Sequence, residues 1–407
     1  MCADDVPPLA RPDLLSRRVQ AIPASGIRRF FELIANMEGV ISLGVGEPDC
    51  VTPRRFTDAA VRALADGQTH DTSNYGIPEL RQAVSDHLDR LYGVRYDPAS
   101  EILITTGVSE GLLLATHATL DSGDEVLCPD PYYVAYLPCV ALAGGVFVPV
   151  PTDPENDFRV RAEDVEAHVT PRTKAILIGY PANPTGASMT RDDLLALADV
   201  AARHNLVVIS DEIYDRLTYG LPHTCFASLP GMRERTILLG GFSKAYAMTG
   251  WRVGWACAPA SAGGGPASGG DILEAMMKVH QYIIMSAPTP SQYAALEALR
   301  NGEDEVQTMV AEYDRRRRLI VDGFNRLGLT CFEPRGAFYA FPSVRSTGLS
   351  DHDFAERLLL EEKVAVVPGS AFGQCGVGHV RACYAAPYEQ IEEALERIGR
   401  FVGRHRS

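Results

Sequence analysis

The feature that most restricts the fold of this chain is the regular alternation, through its middle, of short apolar runs with stretches of helical length. The runs are 102–105 (ILIT), 125–128 (EVLC), 146–150 (VFVPV), 174–180 (KAILIGY), 206–210 (LVVIS), 236–239 (TILL) and 253–258 (VGWACA). Each is short and bounded by turn residues, so each reads as a strand buried on both faces. Segments such as Ser109–Leu120 and Arg191–Arg203 lie between them and have the length of helices. This alternation predicts an α/β fold with a mostly parallel sheet covered by helices. Ligands of such sheets gather beyond the carboxyl ends of the strands.

With 407 residues the chain has room for two or three folding units. From Thr289 onward the pattern turns more helical. Val310, Tyr313, Arg317, Ile320, Phe324 and Leu327 keep one face and Gly328 stops the helix. The Arg315–Arg318 run on this helix, with Glu312 and Asp314 four residues before Arg316 and Arg318, reads as a solvated face. Segment 261–270 (SAGGGPASGG) lacks the GK[ST] of a phosphate-binding P-loop and reads as a flexible loop, with a helix starting near Ile272.

Charge and cysteine usage exclude several classes of function. Asp and Glu total 52 against 38 Lys and Arg, a net charge of −14, which opposes binding to nucleic acid or an anionic membrane. Nine cysteines without a CxxC pair argue against a disulfide framework and against a thiolate zinc site. Met1–Gln20 has no apolar core of a signal peptide, and no run of about 18 apolar residues occurs, so a cytoplasmic location is expected.

The basic residues are unevenly divided. Lysine occurs only at Lys174, Lys244, Lys278 and Lys363. Lys244 follows a buried strand inside GGFSKAYAMTGWRVG (240–254), where small residues would strip water from an amine and favour its neutral, nucleophilic form. Arg252, eight residues on, offers a planar fork suited to phosphate, although a lysine near an arginine is also ordinary surface charge. In LVVISDEIY (206–214) a strand ends in Asp211, with Tyr214 three residues later. A carboxylate buried there needs a cation such as a protonated pyridine nitrogen; the alternative is a helix N-cap. ILITTGVSEGL (102–112) runs a strand through Gly107, Val108 and Ser109 into a helix, which aims amides at an anion or makes Ser109 an N-cap. In YPANPTG (180–186) a turn presents Asn183 at the same edge.

Together these segments resemble the fold-type-I, pyridoxal-phosphate-dependent class I/II aminotransferases. The resemblance runs from about Ser25 to Arg397, through SLGVGEPD (42–49), NYGIPELR (74–81), YPANPTG, SDEIY (210–214), GFSKAYAMTGWRVG (241–254) and VRACYA (380–385). It implies that Lys244 carries pyridoxal 5′-phosphate as an imine, next to Ser243, and that Asp211 pairs with the ring nitrogen. Tyr214 and Asn183 would hold the phenolic oxygen and Tyr133 would stack on the ring. Val108, Ser109 and Arg252 would form the phosphate cup. Arg381 would grip the substrate's α-carboxylate, with Gly46 on the loop that covers it. Where family members commonly carry a tyrosine that reaches the neighbouring subunit's phosphate, this chain has Asp71, which is expected to turn away; Tyr75 is the first candidate to complete the cup.

The resemblance further implies a large cofactor domain over 50–288, a smaller α+β domain from 1–49 and 289–407, and a homodimer. The implied reaction transfers an amino group from an L-amino acid, aspartate-like or aromatic, to a 2-oxo acid such as 2-oxoglutarate. A β-lyase or synthase on the same fold is the enzymatic alternative. A transcription regulator built on this fold is the other, disfavoured by the acidic charge. Arg28 is a candidate for a substrate carboxylate, or a surface arginine.

Overall fold

In the computed structural model, which describes residues 14–20, 22, 37–260 and 272–405, the seven central apolar runs form one sheet. A two-residue strand, β1 (Ile41–Ser42), comes first. The sheet follows as β2 (Ile102–Thr105), β3 (Glu125–Asp130), β4 (Val146–Pro151), β5 (Thr173–Ile178), β6 (Val207–Asp211), β7 (Thr236–Gly241) and β8 (Gly254–Cys257). Its order is β2-β8-β7-β6-β5-β3-β4. Only β8 runs against its neighbours, β2 and β7, so the sheet is mostly parallel as expected. Strands β2, β3, β6, β7 and β8 are buried at every position, which is why they read as unbroken apolar runs.

Helices cover both faces. Alternate strand residues divide between them: Leu177 and Ile209 pack with Leu112 and Met276 on one side, Ile176 and Val208 with Leu194 and Leu197 on the other. The first side is covered by Val108–Thr119 and Ile272–Ile283, the second by Arg191–Arg203. Arg191–Arg203 starts where the sequence places it because Thr190 and Asp193 form a reciprocal cap: Thr190 Oγ1 accepts from the Asp193 N–H at 3.2 Å and Asp193 Oδ2 from the Thr190 N–H at 2.9 Å.

Beyond this sheet, helix Thr289–Asn301 packs against Arg54–Ala65 and Pro78–Tyr92. The chain then forms helices Glu303–Arg326, Asp351–Glu362 and Tyr388–His405 and four short strands: β9 (Tyr339–Ala340), β10 (Val364–Ala365), β11 (Val367–Pro368) and β12 (Val380–Cys383). An antiparallel sheet is ordered β11-β12-β9, while β10 pairs in parallel with β1. No helix among the described residues is long and apolar enough to cross a membrane. Segment 261–270 and Arg28 lie outside the described residues, and the helix expected near Ile272 begins there.

The Arg315–Arg318 run departs from expectation. Gly328, at φ +71°, follows the helix end as foreseen, and Glu312–Arg316 and Asp314–Arg318 pair four residues apart. However, Arg316 and Arg317 are only 7% and 4% exposed. At 3.6 residues per turn, two of four successive positions face inward whatever their charge. Here acids on other segments meet them: Arg316 Nη1 donates to Asp49 Oδ2 at 2.9 Å and Arg317 Nη1 to Glu333 Oε1 at 2.7 Å. Arg316 thereby ties the helix to the 44–49 loop. Replacing Arg316 with alanine should lower the unfolding free energy by about 2 kcal/mol, the scale of lost charge-assisted hydrogen bonds. Arg318→Ala should change it by less than about 0.5 kcal/mol. Equal effects in urea titrations would contradict this assignment.

Candidate active site

The parallel strands of the main sheet share one carboxyl edge, and β8, running the other way, starts at it. Chain leaving β2 enters Gly107–Ser109, chain leaving β3 reaches Tyr133, and chain leaving β5 reaches Asn183. β6 ends in Asp211 with Tyr214 beyond, β7 leads to Ser243 and Lys244, and Arg252 precedes β8. All these loops meet around a cavity of about 320 Å³, to which Gly46, Tyr339 and Arg381 add a further wall. Gly46, Val108, Ser109, Tyr133, Asn183, Asp211, Tyr214, Ser243, Lys244, Arg252 and Arg381, all singled out in the sequence, line this one cavity.

One end is built for an anion. Gly107 takes φ +85°, and a Cβ there would lie 2.8 Å from Arg252 Nη2, so the close approach requires glycine. Helix Val108–Thr119 begins at this turn and directs its first amides at the cavity. Arg252 is exposed and held by carbonyls, Nη1 donating to Thr249 O at 3.0 Å and Nη2 to Thr106 O at 3.3 Å.

In the centre stands Asp211, 5% exposed and with no ion pair among the described residues. Burial pushes its carboxyl up to about 6, against opposing hydrogen bonds from Tyr136 and the Ile213 N–H. Tyr136 Oη donates to Oδ2 at 2.9 Å and the Ile213 N–H to Oδ1 at 3.2 Å. Lys244 Nζ donates to Gly46 O at 2.6 Å. Burial pulls this ammonium down to about 8, helped by Arg381 and Arg252. Lys244 therefore has a substantial neutral fraction near pH 8.

The third region surrounds Arg381, which is 4% exposed. Its Nη1 donates to Asn183 Oδ1 at 2.9 Å and Nη2 to Gly44 O at 2.6 Å, while Nε is buried without a partner among the described residues. Tyr339 and Phe372 flank the guanidinium at 4.7 and 4.8 Å from their ring centres. Tyr339 Oη also lies 2.7 Å from Tyr214 Oη, and burial raises both phenols well above their ordinary range.

Sequence reasoning missed Tyr136, Tyr339, Glu47 and Thr249, all on the cavity wall. Tyr136 lies three residues after Tyr133 in PDPYYVAY, and that spacing was the available signal. Tyr339 explains Gly46, where a Cβ would come within 2.5 Å of its hydroxyl. Within a single chain Tyr75 does not line the cavity: its carbonyl accepts from the Ile104 N–H at 3.0 Å and its ring packs under Arg81 at 5.9 Å. Thr249 stands beside Arg252 instead. Asp71 is exposed and does not line this cavity within the chain.

The raised carboxyl of Asp211 has a definite sign in stability. A folded value near 6 against an unfolded value near 3.8 means that the native state holds the proton more tightly. Cofactor-free protein should lose stability as pH rises from about 4 through 6, by roughly 1–3 kcal/mol from this group. Asp211→Asn should recover about that amount at pH 7.5 and little at pH 4. Urea unfolding at both pH values checks this, and a variant less stable than the parent at pH 7.5 would refute it.

The chain matches the family described as aminotransferase class I and II over residues 38–398. An aspartate aminotransferase of Pyrococcus abyssi is 45% identical, covering 94% of this chain and 97% of its own. The aromatic-amino-acid aminotransferase 2 of Thermococcus litoralis is 44% identical, with the same coverage. Among solved structures, aspartate aminotransferase from Thermus thermophilus with maleate superposes with a TM-score of 0.88 at 40% identity, covering 95% of this chain and 99% of that one. Likeness at this level over nearly the whole length, joined to the arrangement of the cavity, places the chain in the class I and II aminotransferase family.

Proposed function

We propose that this aminotransferase moves an amino group from an L-amino acid with an aromatic or aspartate-like side chain to a 2-oxo acid such as 2-oxoglutarate. One observation carries the reading: a single cavity joins a buried carboxylate lacking a cation, a lysine shifted to about 8 and two arginines placed for anions. Pyridoxal 5′-phosphate is the cofactor of enzymes of this kind, and the residues fit it. Asp211 lacks the cationic N–H that a protonated pyridine supplies, and the Gly107 turn with Arg252 suits a phosphate.

When bound, the cofactor supplies an electron sink for charge developing at the substrate's Cα. Asp211 keeps the ring nitrogen protonated. Lys244 would carry the cofactor and would move a proton at Cα, a task suited to an amine that titrates near working pH. Tyr214 and Asn183 face the phenolic oxygen and Tyr133 covers the ring. Val108, Ser109, Ser243 and Arg252 hold the phosphate end. Arg381 takes the α-carboxylate with its free N–H groups and so decides which Cα bond is presented. Tyr133, Tyr339 and Val45 line the cavity together with Glu47, which supports an aromatic donor.

Further readings remain proposals. A homodimer is supported by the apolar run Tyr282, Ile283, Ile284 and Met285, which are 87%, 50%, 41% and 54% exposed. A reducing, cytoplasmic setting is supported by the free thiols of all cysteines among the described residues. A division into 50–288 and 1–49 with 289–407 is supported by the separate sheets.

A panel of amino acids with 2-oxoglutarate tests the substrate reading: aromatic donors should exceed alanine at least ten-fold in kcat/KM, and no preference would overturn it. Arg381→Lys should raise KM for both amino acid and oxo acid by at least ten-fold, since one ammonium cannot reproduce the planar fork. Unchanged constants for both would reject that role.

A further inference from the structure

Behind the anion turn lies a buried acid–base pair that transamination as described above does not use. His280, on the helix Ile272–Ile283, is 0% exposed, and its Nδ1 lies 2.6 Å from Glu110 Oε1. Its other ring nitrogen is buried without a hydrogen-bond partner among the described residues, a cost that the contact with Glu110 must offset. Glu110, 8% exposed, turns its second oxygen back to Thr106 and accepts from the backbone N–H at 2.5 Å and from the hydroxyl at 2.8 Å. The Thr106 carbonyl accepts in turn from Arg252 Nη2. A continuous chain of contacts therefore runs from His280 through Glu110 and Thr106 to the guanidinium at the cavity rim.

The placement of Glu110 is otherwise unfavourable. It is the third residue of a helix whose amino end faces the anion position, so a carboxylate turned toward the cavity would repel a phosphate. Turned back, it does two jobs. It pins the residue before Gly107, whose positive φ lets the Arg252 guanidinium pack against the turn. It also keeps its charge off the amides of Val108 and Ser109, residues that line the cavity, while Glu110 N and Gly111 N bond to Gly107 O. Burial disfavours the charged carboxyl, but hydrogen bonds from His280 and Thr106 outweigh it and hold Glu110 below its ordinary value.

We propose that Glu110 and His280 are positioning residues for the anion cup: they set the 105–109 turn and the reach of Arg252, and so determine how strongly this cavity binds a phosphate group. The inference rests on the reading of that turn as the phosphate site.

The test compares binding of pyridoxal 5′-phosphate and of pyridoxal, which lacks the phosphate, to the cofactor-free full-length enzyme. Parent, Glu110→Ala, Glu110→Gln, His280→Leu, His280→Asn and Arg252→Ala are compared, with thermal unfolding of each as a control. Glu110→Ala and His280→Leu should weaken pyridoxal 5′-phosphate at least ten-fold and pyridoxal less than two-fold, and should move the ³¹P resonance of the bound phosphate. His280→Asn, whose amide can donate to Glu110 as Nδ1 does, should restore most of the affinity. Glu110→Gln keeps an acceptor for Thr106, so it should fold and show a smaller loss with the same selectivity. Equal losses for both ligands, or none, with Arg252→Ala still selective for the phosphorylated one, would show the pair to be packing only and overturn the proposal. If Arg252→Ala itself shows no selectivity, the phosphate site is misplaced, and the proposal fails with the reading beneath it.

Discussion

A carboxylate held at the end of a fully buried strand, with no ion pair among the described residues, is the constraint around which the rest of this site is arranged. Asp211 closes β6, in the middle of the sheet, where desolvation moves its carboxyl to about 6. A chain selected for stability alone would place an apolar residue or an ion pair there. Tyr136 and the Ile213 N–H satisfy part of the group, yet neither brings positive charge. The unfavourable electrostatics leaves a place for a positively charged partner, and it is tolerable because the buried sheet on either side holds the strand end in place.

The same economy of placement governs the neighbouring groups. The functional side chains come from the ends of neighbouring strands, with Asp211 and Tyr214 both from β6, so their convergence follows from sheet order, with β6 lying between β5 and β7 and β8 reversed. Close approach is then set by glycine where backbone must pass a side chain: Gly107 beneath Arg252 and Gly46 against Tyr339. Tyr339 links two regions, since its ring stacks on Arg381 and its hydroxyl meets that of Tyr214. Through it, Arg381 and Tyr214 share one rigid support.

How much of this was legible in the sequence follows from the kind of signal each element leaves. The central strands were legible because burial on both faces produces apolar runs, and Arg191–Arg203 because its cap is local, Thr190 with Asp193. Lys244, Asp211 and Arg252 stood out because a charged residue at the end of an apolar run has few reasons to be there. Tyr339 was illegible for the opposite reason, and Tyr136 left only its spacing from Tyr133: a buried tyrosine reads as core, and only the assembled fold shows what its hydroxyl meets. Arg316 and Arg317 were misread because Asp49 and Glu333 are remote in sequence from the helix they partner. The backbone bond of Tyr75 to Ile104 and its packing under Arg81 leave no local signature, so its surroundings within the chain could not be read from the sequence.

The account stands on Lys244 as the residue that carries the cofactor. Among the described lysines, Lys174 is occupied by Asp124 at 3.0 Å, Lys278 by Glu274 at 3.3 Å, and Lys363 ends a helix in a left-handed conformation, leaving Lys244 as the lysine in the cavity. Borohydride reduction of the enzyme loaded with pyridoxal 5′-phosphate, followed by proteolysis and mass spectrometry, reads the attachment directly. The pyridoxyl group is predicted on Lys244 alone; finding it on Lys174, Lys278 or Lys363 would contradict the arrangement described above.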